Sequence, residues 1–304
     1  MLTRILRIAS VVQLAVGVVL AVGLIAIGVP AWIAVIVGAS MPFLFHAVAL
    51  AIEFIIGAIV DRRPVPRLNP VDAIRVWLVE SWRSTSVFNV DQPWRANFPE
   101  RPLVRDAGRP AVLLVHGYLC NRGVWRPWVL GGLPTRWNIA TVSLEPAYGA
   151  IDGYADSLHE AIERLRSESG AQHVTLVCHS MGGLAARAYL RKYCDTPVKR
   201  VITIDTPHHG TIFARFAHGL NTRQMRRASE YVRGLADCDE PVEFICFAGQ
   251  HDNLVVPRQS QVLECAETIW FEKVGHLAMT ADPDVLKKLI EVVERRYRDS
   301  IPGR

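Results

Sequence analysis

The sequence predicts an α/β fold, a mostly parallel sheet with helices on both faces, preceded by a helical hairpin in a membrane. Two observations predict it. From residue 111 onward, short apolar runs alternate with stretches of helical periodicity, which is typical of a parallel sheet covered on both faces. Ahead of this region, residues 8–52 contain no Asp, Glu, Lys or Arg, which is typical of helices that lie in lipid. The 304 residues therefore hold one large domain and a membrane appendage.

The charge-free run has room for two membrane-spanning helices, because one crossing needs about 20 apolar residues. The first span is predicted at Ile8–Val29, a break follows at Pro30, and the second span is predicted at Ala31–Val60. A secretory signal peptide is the alternative for the first segment, but the apolar region is too long and no small-residue cleavage site follows. We therefore predict a two-span transmembrane hairpin over residues 1–62.

The second predicted span is longer than about 30 Å of hydrocarbon requires. It is expected to tilt, to kink near Pro42, or to protrude at its Glu53 end. Ionisable groups inside a membrane are often functional. We nevertheless interpret His46 as a helix-packing residue and Glu53 as a residue at the membrane interface.

Positive charges predict the orientation of the hairpin. Arg4 and Arg7 precede the first span, and the turn between the spans carries no charge. Three arginines follow the second span, Arg62, Arg63 and Arg67. Because cytoplasmic flanks carry the excess of Lys and Arg, both ends of the hairpin and the domain that follows are predicted to be cytoplasmic, in an integral protein of a bacterial inner membrane.

Cysteine usage agrees weakly with that side of the membrane. The six cysteines are Cys120, Cys178, Cys194, Cys238, Cys246 and Cys265, and no two of them form a C-x-x-C pair. They also show no clustering with histidines at metal-ligand spacing. We therefore expect reduced thiols, as in a cytosolic domain.

Residues 63–104 are predicted to form a linker followed by an amphipathic helix. Three prolines stiffen the beginning of the linker, Pro64, Pro66 and Pro70. Asn69 is a candidate N-cap for a helix at Val71–Ser84, whose apolar face comprises Ile74, Trp77, Leu78 and Trp82. The tryptophans at 77, 82 and 94 fit either the headgroup layer of a membrane or an ordinary core.

Residues 105–304 are predicted to form the α/β domain. The predicted strands are Ala111–Val115, Trp137–Val142, Val174–Val177, Arg200–Ile204, Val242–Ala248 and Thr268–Phe271. The main predicted helices are Gly153–Ser169, Leu184–Tyr193 and Pro283–Tyr297. A long insertion at about 207–240 predicts a helical cap. In such sheets ligand sites collect at the carboxyl ends of the strands, where the polar residues discussed next are found.

Ser180 directly follows a predicted buried strand, and a predicted helix begins soon after it. Gly182 and Gly183 separate the two elements. This arrangement is typical of a nucleophile elbow, a sharp turn that exposes a hydroxyl at the sheet edge beside a helix N-terminus. Cys178 stands where the G-x-S-x-G pattern has its first glycine, and a connection without chemistry is the alternative on this stretch alone.

Four other residues complete a hydrolytic site. Attack on an ester carbonyl requires a nucleophile, a base, an acid that orients the base, and donors for the oxyanion. We assign Ser180 as nucleophile, His276 as base and Asp252 as the orienting acid. The oxyanion donors are predicted to be the backbone N–H groups of Tyr118 and Met181.

Five motifs carry a resemblance to a known family: His116-Gly117-Tyr118, Cys178-His-Ser180-Met-Gly182, Thr206-Pro-His-His-Gly210, Asp252 and Gly275-His276. Together, over residues 105–297, they resemble an α/β-hydrolase of the bacterial triacylglycerol-lipase type. The resemblance implies an α/β-hydrolase fold, the same triad and oxyanion donors, and no required cofactor. Cys178 and Asp205 depart from the family's pattern, and the hairpin is not explained by it.

Alternatives remain for several neighbouring residues. Asp205 ends its own strand and is an alternative triad acid. His208 and His209 together with Asp205 are a conceivable metal set, although a role in stabilising the turn fits better, and no metal site is predicted. His116 is expected to brace the oxyanion loop.

The cap at 207–240 mixes apolar and basic residues. The apolar ones are Phe213, Phe216, Leu220, Met225, Tyr231 and Leu235, and the basic ones are Arg215, Arg223, Arg226, Arg227 and Arg233. This pattern suits a lid that lies on an anionic membrane, and it suits a solvated cap with an apolar underside equally well.

The sequence as a whole predicts a membrane-anchored serine hydrolase that cleaves carboxylic esters, with lipid-like or long-chain acyl substrates. Membrane lipid is an expected partner and nucleic acid is not. An acyltransferase or thioesterase that uses the same triad is the enzymatic alternative. A membrane scaffold that retains the hydrolase fold is the non-catalytic one.

Overall fold

The computed structural model describes residues 1–61, 66, 68–106, 108–235 and 242–299. In this part of the chain the sheet consists of β1 (Ala111–Val115), β2 (Asn138–Val142), β3 (Val174–His179), β4 (Val198–Ile204), β5 (Glu243–Gly249) and β6 (Glu267–Phe271). The strands lie in the order β2-β1-β3-β4-β5-β6, and each neighbouring pair is parallel. The predicted parallel sheet is confirmed, and the carboxyl ends of its strands meet at one edge.

The helices of the described chain are α1 (Leu2–Ala26), α2 (Ala31–Ala39), α3 (Met41–Val60), α4 (Pro70–Ser86), α5 (Gln92–Trp94), α6 (Arg126–Leu130), α7 (Leu133–Arg136), α8 (Tyr154–Ser169), α9 (Met181–Lys192), α10 (Leu220–Gln224), α11 (Glu230–Gly234) and α12 (Pro283–Asp299). The core lies on both faces of the sheet, because side chains alternate along each strand. In β1, Leu113 packs in a cluster with Leu158 of α8 and Leu184 of α9. Its neighbour Leu114 belongs to a second cluster that contains Leu289 of α12.

The hydrophobic hairpin contains three helices, because the predicted second span is interrupted at Ser40. Pro42 lies in the first turn of α3 and has no N–H with which to continue the hydrogen bonding of α2, so the predicted kink is confirmed. By length and composition alone, α1 and α3 could each cross a membrane. Helix α1 packs tightly on α2, and a Cβ on Gly17 would lie 2.2 Å from the carbonyl oxygen of Gly38.

Helix α3 packs against the α/β domain along one face. Trp77 of α4 donates a hydrogen bond to the carbonyl oxygen of Ala47 (2.8 Å). His46 bonds to Ser84 (Nδ1 to Oγ, 3.0 Å), as expected of a packing residue. Glu53 accepts a hydrogen bond from Asn253 (2.7 Å), and its position at the membrane interface stays a prediction. The other face of α3 is apolar and exposed, at Leu44, Phe45, Val48, Ile52, Ile55 and Ile59.

Helix α4 turns its apolar face outward. The helix and its Asn69 N-cap are confirmed, since the Asn69 side chain accepts a hydrogen bond from the Asp72 N–H. Three of the four residues predicted to share an apolar face are exposed, Ile74 by 55%, Leu78 by 42% and Trp82 by 68%. The buried face contains Glu80, Arg83 and Ser84. Burial is possible because Glu80 and Arg83 find hydrogen-bond partners in the domain and Ser84 bonds to His46 of α3.

The cap over the sheet edge consists of a 3₁₀ turn at Ile212–Arg215 and the short helices α10 and α11. Phe216 and Leu220 are exposed on it, whereas Met225 and Leu235 are buried beneath it. The last predicted cap residues, 236–240, lie outside the described residues.

One cysteine departs from the prediction of reduced thiols. Cys265 is disulfide-bonded, whereas Cys120, Cys178, Cys194 and Cys246 are free. Disulfides persist mainly in oxidising compartments, so this bond argues against a cytoplasmic domain. Arg62, Arg63 and Arg67, on which the predicted orientation partly depends, lie outside the described residues.

Candidate active site

Ser180 occupies a strained turn between β3 and α9. Its φ is +53°, in the left-handed region that non-glycine residues rarely adopt, and its N–H is held by the carbonyl oxygen of Ile204 (2.8 Å). A Cβ on Gly182 would lie 2.7 Å from the carbonyl oxygen of His116, and one on Gly183 would lie 2.2 Å from Oγ1 of Thr206. Both glycines are therefore required by the close approach of neighbouring loops.

The cysteine that replaces the first glycine of the motif lies inside the sheet. Cys178 is fully buried in β3 and pairs with Val115 and Thr203 on the flanking strands. Burial raises the pKa of its thiol well above the usual range. Cys178 is therefore a packing residue of the core and not a second nucleophile.

The loop after β1 passes directly beside the nucleophile. A Cβ on Gly117 would lie 2.7 Å from Cβ of Ser180, so the next residue, Tyr118, is adjacent to the turn. Met181 is the first residue of α9, whose N-terminus carries a partial positive charge. Apart from the regular bonds within helices and strands, no backbone carbonyl in the described structure accepts a hydrogen bond from the N–H of Tyr118 or of Met181. Both N–H groups are therefore available to an oxyanion.

His276 and Asp252 form a buried hydrogen-bonded pair. Nδ1 of His276 donates to Oδ2 of Asp252 over 2.9 Å. The other oxygen of Asp252 accepts hydrogen bonds from the N–H groups of Leu254 (2.6 Å) and Val255 (2.9 Å). Burial lowers the pKa of His276, but the charge and hydrogen bond of Asp252 outweigh it, so the net shift is upward.

Asp205 lies beside this pair without joining its hydrogen bond. Its Oδ2 is 3.9 Å from Nδ1 of His276, and its Oδ1 accepts a hydrogen bond from the N–H of Gly249 (2.7 Å). Burial and the neighbouring charge of Asp252 raise the pKa of Asp205 well above its usual range. Asp252, which holds the hydrogen bond to His276, is therefore better placed to orient the base.

The comparison with known proteins agrees with this arrangement of strands and loops. A protein family described as "alpha/beta hydrolase fold" matches residues 110–228, which include β1, the elbow and part of the cap. The chain has the α/β-hydrolase fold.

Among solved structures that share the α/β-hydrolase fold are two lipases. The mature form of the Bacillus licheniformis lipase BlEst2 matches with a TM-score of 0.56 and 16% identity, over 64% of this chain and 96% of that one. Lipase B of Aspergillus fumigatus matches with a TM-score of 0.55 and 17% identity, over 65% of this chain but only 55% of that one.

The α/β-hydrolase domain encloses a cavity of about 260 Å³ at the sheet edge. Ser180 and His276 both line it, so the structure brings the predicted nucleophile and base to one space. Much of the remaining wall is apolar and comes from the N-terminal segment, the cap and the loops after β1 and β5: Leu50, Phe88, Leu119, Phe213, Met225 and Leu254. Such a cavity suits an acyl chain better than a charged ligand.

Two carboxylates near the site come from helices ahead of the matched region and were not predicted to act there. Glu80 of α4 is fully buried and accepts hydrogen bonds from the N–H groups of Leu277 and Ala278, each at 2.8 Å. Glu53 of α3 bonds to Asn253. Glu53 carried a signal, as the lone acidic residue of an apolar segment, but Glu80 carried none, because sequence does not show which face of α4 is buried.

The loop that carries His276 has further supports. Asn253 Oδ1 accepts a hydrogen bond from the N–H of His276 (3.1 Å). His179 Nε2 donates to the carbonyl oxygen of His276 (3.1 Å). Burial and the nearby charge of His276 lower the pKa of His179 well below its usual range, so His179 is a neutral donor.

His116 braces the oxyanion loop, as expected. Its Nδ1 donates to the carbonyl oxygen of Gly117 (2.8 Å), and its Nε2 accepts from the N–H of Leu144 (2.9 Å). Burial lowers the pKa of His116 to about 4, so the ring is neutral and keeps both bonds.

The structure does not assemble the alternative metal set. His208 Nε2 bonds to Oγ1 of Thr203 (3.1 Å), whereas His209 bonds to the carbonyl oxygen of Val262 (3.0 Å). Among the described residues, the acidic and histidine groups that lie within 4.8 Å of one another are Asp205, Asp252 and His276. Two of these three are already hydrogen-bonded to each other.

Proposed function

We propose that this chain is a membrane-bound serine hydrolase that cleaves carboxylic ester bonds through an acyl-enzyme on Ser180. One observation carries the proposal: Ser180 projects from a strained turn into the cavity that His276 also lines, and His276 is hydrogen-bonded to Asp252. This is the arrangement that acyl transfer to a serine requires.

The chemistry follows from the tautomer of His276. Because Nδ1–H donates to Asp252, Nε2 is free to take the proton of the Ser180 hydroxyl as its Oγ attacks the ester carbonyl. The carbonyl oxygen becomes an oxyanion, stabilised by the N–H groups of Tyr118 and Met181. The bond to the alkoxy oxygen then breaks, and the alcohol leaves with the proton from His276.

Water completes the cycle. It gives a proton to Nε2 of His276 and attacks the acyl-enzyme carbonyl, forming a second oxyanion. Collapse breaks the bond to Oγ, the proton returns to Ser180, and the carboxylic acid leaves. The enzyme itself is unchanged after the two steps.

The favoured substrates are lipid-like or long-chain acyl esters. The cavity beside Ser180 has a largely apolar wall, and burying a methylene group in such a wall contributes about 0.8 kcal/mol. The two neighbouring structures described above are named lipases, which agrees with this choice of substrate.

Membrane lipid is the proposed partner of the N-terminal helices. The exposed apolar face of α3 and the outward apolar face of α4 belong to helices that pack on each other. Trp82 and Trp94 are exposed by 68% and 54%, and Arg7 stacks on Trp94 at 4.9 Å. Exposed tryptophan and arginine side chains are typical of the headgroup layer.

Two observations bear on which side of the membrane holds the α/β domain, and they favour opposite sides. The arginines that flank the hairpin favour a cytoplasmic domain, and the disulfide at Cys265 favours an oxidising compartment. We propose a cytoplasmic domain, in agreement with the flanking arginines. Protection of the C-terminus from protease in inside-out vesicles would contradict it, whereas digestion there, with protection in right-side-out vesicles, is the expected result.

Labelling with a fluorophosphonate tests the nucleophile. We expect covalent labelling of the wild-type protein and none of Ser180→Ala, with Ser167→Ala as a matched control because that serine lies on the outer surface of α8. Equal labelling of wild type and Ser180→Ala would overturn the assignment. A panel of acyl esters and thioesters, with water or added alcohol as acceptor, separates the hydrolase from the thioesterase and the acyltransferase.

A further inference from the structure

We propose that helix α3 of the hairpin forms one wall of the acyl-chain site, with Leu50 as the residue that sets which chains are accepted. This inference rests on the proposed ester hydrolysis at Ser180. It assigns a role in substrate selection to a helix that otherwise serves only as a membrane segment.

The cavity that contains Ser180 lies between α3 and the cap. Ala49 and Leu50 line it on the α3 side, and Phe213 and Met225 line it on the cap side. Leu50 is only 6% exposed, so its side chain is enclosed by the cavity and its surroundings. An acyl chain joined to the ester at Ser180 would therefore contact α3.

The polar residues on the same side of α3 are already engaged. His46 bonds to Ser84 and Glu53 bonds to Asn253. His46 and Glu53 also line the cavity, and between them α3 offers the apolar side chains of Ala49 and Leu50. This chemistry fits an alkyl chain and does not fit a charged headgroup.

The cavity also adjoins the exposed apolar face of α3, for which lipid is the proposed partner. Ala49 lines the cavity and is itself exposed, and the next turn of α3 presents Ile52 to the outside. A chain that leaves the bilayer along α3 would reach Ser180 without crossing water. The acyl site is therefore expected to take its substrate from the membrane.

Substitution of Leu50 tests this assignment with soluble p-nitrophenyl esters of increasing chain length in detergent. Leu50→Phe narrows the site, and we expect kcat/KM for long chains, relative to that for butyrate, to fall by roughly fourfold for each methylene displaced. Leu50→Ala widens the site and is expected to shift the preference toward longer or bulkier chains. Ile55→Phe, on the exposed face of the same helix, is the matched control and should leave the chain-length profile unchanged.

The outcomes separate this inference from the function itself. An unchanged ratio of long-chain to short-chain kcat/KM in Leu50→Ala, which makes no new contact, overturns the role of α3 even if Leu50→Phe fails to fold. A wild-type protein that hydrolyses no ester and resists fluorophosphonate overturns the proposed function instead.

A second observation, independent of the cavity wall, concerns Glu80. We infer that Glu80 is a positioning residue for the catalytic base. Its two oxygens accept the N–H groups of Leu277 and Ala278, the residues directly after His276, at 2.8 Å each. Because Glu80 is fully buried, water does not compete for these two hydrogen bonds, and one side chain holds two successive backbone N–H groups.

Glu80 also packs closely against Gly275, the residue before His276. A Cβ on Gly275 would lie 2.6 Å from Oε2 of Glu80, so the glycine before His276 is required by the carboxylate. Glu80 thereby fixes the backbone on both sides of the base, and with it the hydrogen bond from His276 to Asp252.

Glu80→Gln tests this role, because the amide keeps one acceptor oxygen but turns N–H donors toward a backbone N–H. We expect kcat to fall at least tenfold with KM little changed. We also expect the acid limb of the pH–rate profile to move to lower pH, because a slackened loop weakens the contact between His276 and Asp252. Glu163→Gln, on the exposed face of α8, is the matched control and should change neither quantity.

If Glu80 had a purely structural role, Glu80→Gln would lower only the unfolding temperature. If Glu80→Gln and Gly275→Ala, which presses on the same carboxylate, both leave kcat and the pH midpoint unchanged, the inference is wrong. Loss of kcat with a shifted pH midpoint in either variant, in protein that still shows wild-type cooperative unfolding, supports it.

Discussion

Asp205 Oδ2 lies 3.9 Å from Nδ1 of His276, one ångström farther than the 2.9 Å that separates this nitrogen from Oδ2 of Asp252 and too far for a hydrogen bond. Both carboxyl groups at this edge of the sheet are fully buried, but only Asp252 receives the imidazole N–H. The two groups differ in their pKa shifts: burial and the charge of Asp252 raise the pKa of Asp205, whereas the charge and hydrogen bond of His276 lower the pKa of Asp252 against the effect of burial.

This difference predicts different outcomes for the two isosteric substitutions. Asp205→Asn keeps an oxygen for the N–H of Gly249 and leaves the hydrogen bond between His276 and Asp252 in place, so kcat/KM is expected to stay within about fivefold of wild type. Asp252→Asn removes the charge that orients and stabilises the imidazolium, and a loss of about four orders of magnitude in kcat is expected. Steady-state hydrolysis of a soluble ester measures the activity of both variants. Equal losses in the two variants would contradict the assignment of Asp252.

The pH dependence of activity should report the pKa of His276. Asp252 raises that pKa above 6.5 despite burial, with Glu80 adding to the effect. The base must be neutral, so kcat/KM is expected to rise with pH to a half-maximum above 6.5, measured between about pH 5 and pH 9. In Asp252→Asn the burial effect prevails and the residual activity should have its half-maximum at lower pH. A midpoint below 6.5 in the wild type would contradict the ion pair.

The same shift has a consequence for stability. The pKa of His276 is raised in the folded state, so its contribution is fully present below pH 6.5 and is lost as the pH rises through the folded value. Thermal unfolding of the inactive Ser180→Ala variant is therefore expected to occur at lower temperature above that pH. With Asp252→Asn added, this part of the pH dependence should disappear.

Gly182 is expected to tolerate no side chain. Its Cβ would lie 2.7 Å from the carbonyl oxygen of His116 and 2.8 Å from that of Val115, both on the backbone. Gly182→Ala should lower the free energy of unfolding by about 1–3 kcal/mol and slow fluorophosphonate labelling, since the elbow must shift. Gly153→Ala is the control, because nothing lies within 4 Å of its Cβ, and it should be neutral. Equal stability of the two variants in denaturant titrations would contradict this packing.

The outward face of α4 is expected to contact lipid. In vesicles made with brominated lipids, part of the tryptophan emission should be quenched, and Trp82→Phe should remove some of that quenched component. Trp137→Phe is the control, because Trp137 is only 1% exposed in the domain core, and the quenched component should persist in it. An unaltered quenched component in Trp82→Phe would show that α4 faces water.

The order of motifs along the chain was enough to predict the fold and the members of the candidate site. The carboxyl ends of parallel strands lie at one edge of the sheet. Because Ser180, Asp252 and His276 each follow a predicted strand, they were expected to lie near one another. The elbow glycines were predictable for a similar reason, because a sharp turn between a strand and a helix leaves no room for side chains.

The buried face of α4, the choice of the orienting acid and the positions of Leu50 and Glu80 depended on the tertiary structure. Periodicity identified α4 as amphipathic but left open whether its apolar face is buried, because a repeat of apolar residues does not reveal what they contact; in the structure Ile74, Leu78 and Trp82 are exposed. The choice between Asp205 and Asp252 depends on a difference of one ångström between two carboxyl groups, which no spacing in the sequence encodes. The place of Leu50 and Glu80 beside the elbow at Ser180 depends on how the N-terminal helices pack on the domain, and that packing is set by contacts between residues far apart in the chain.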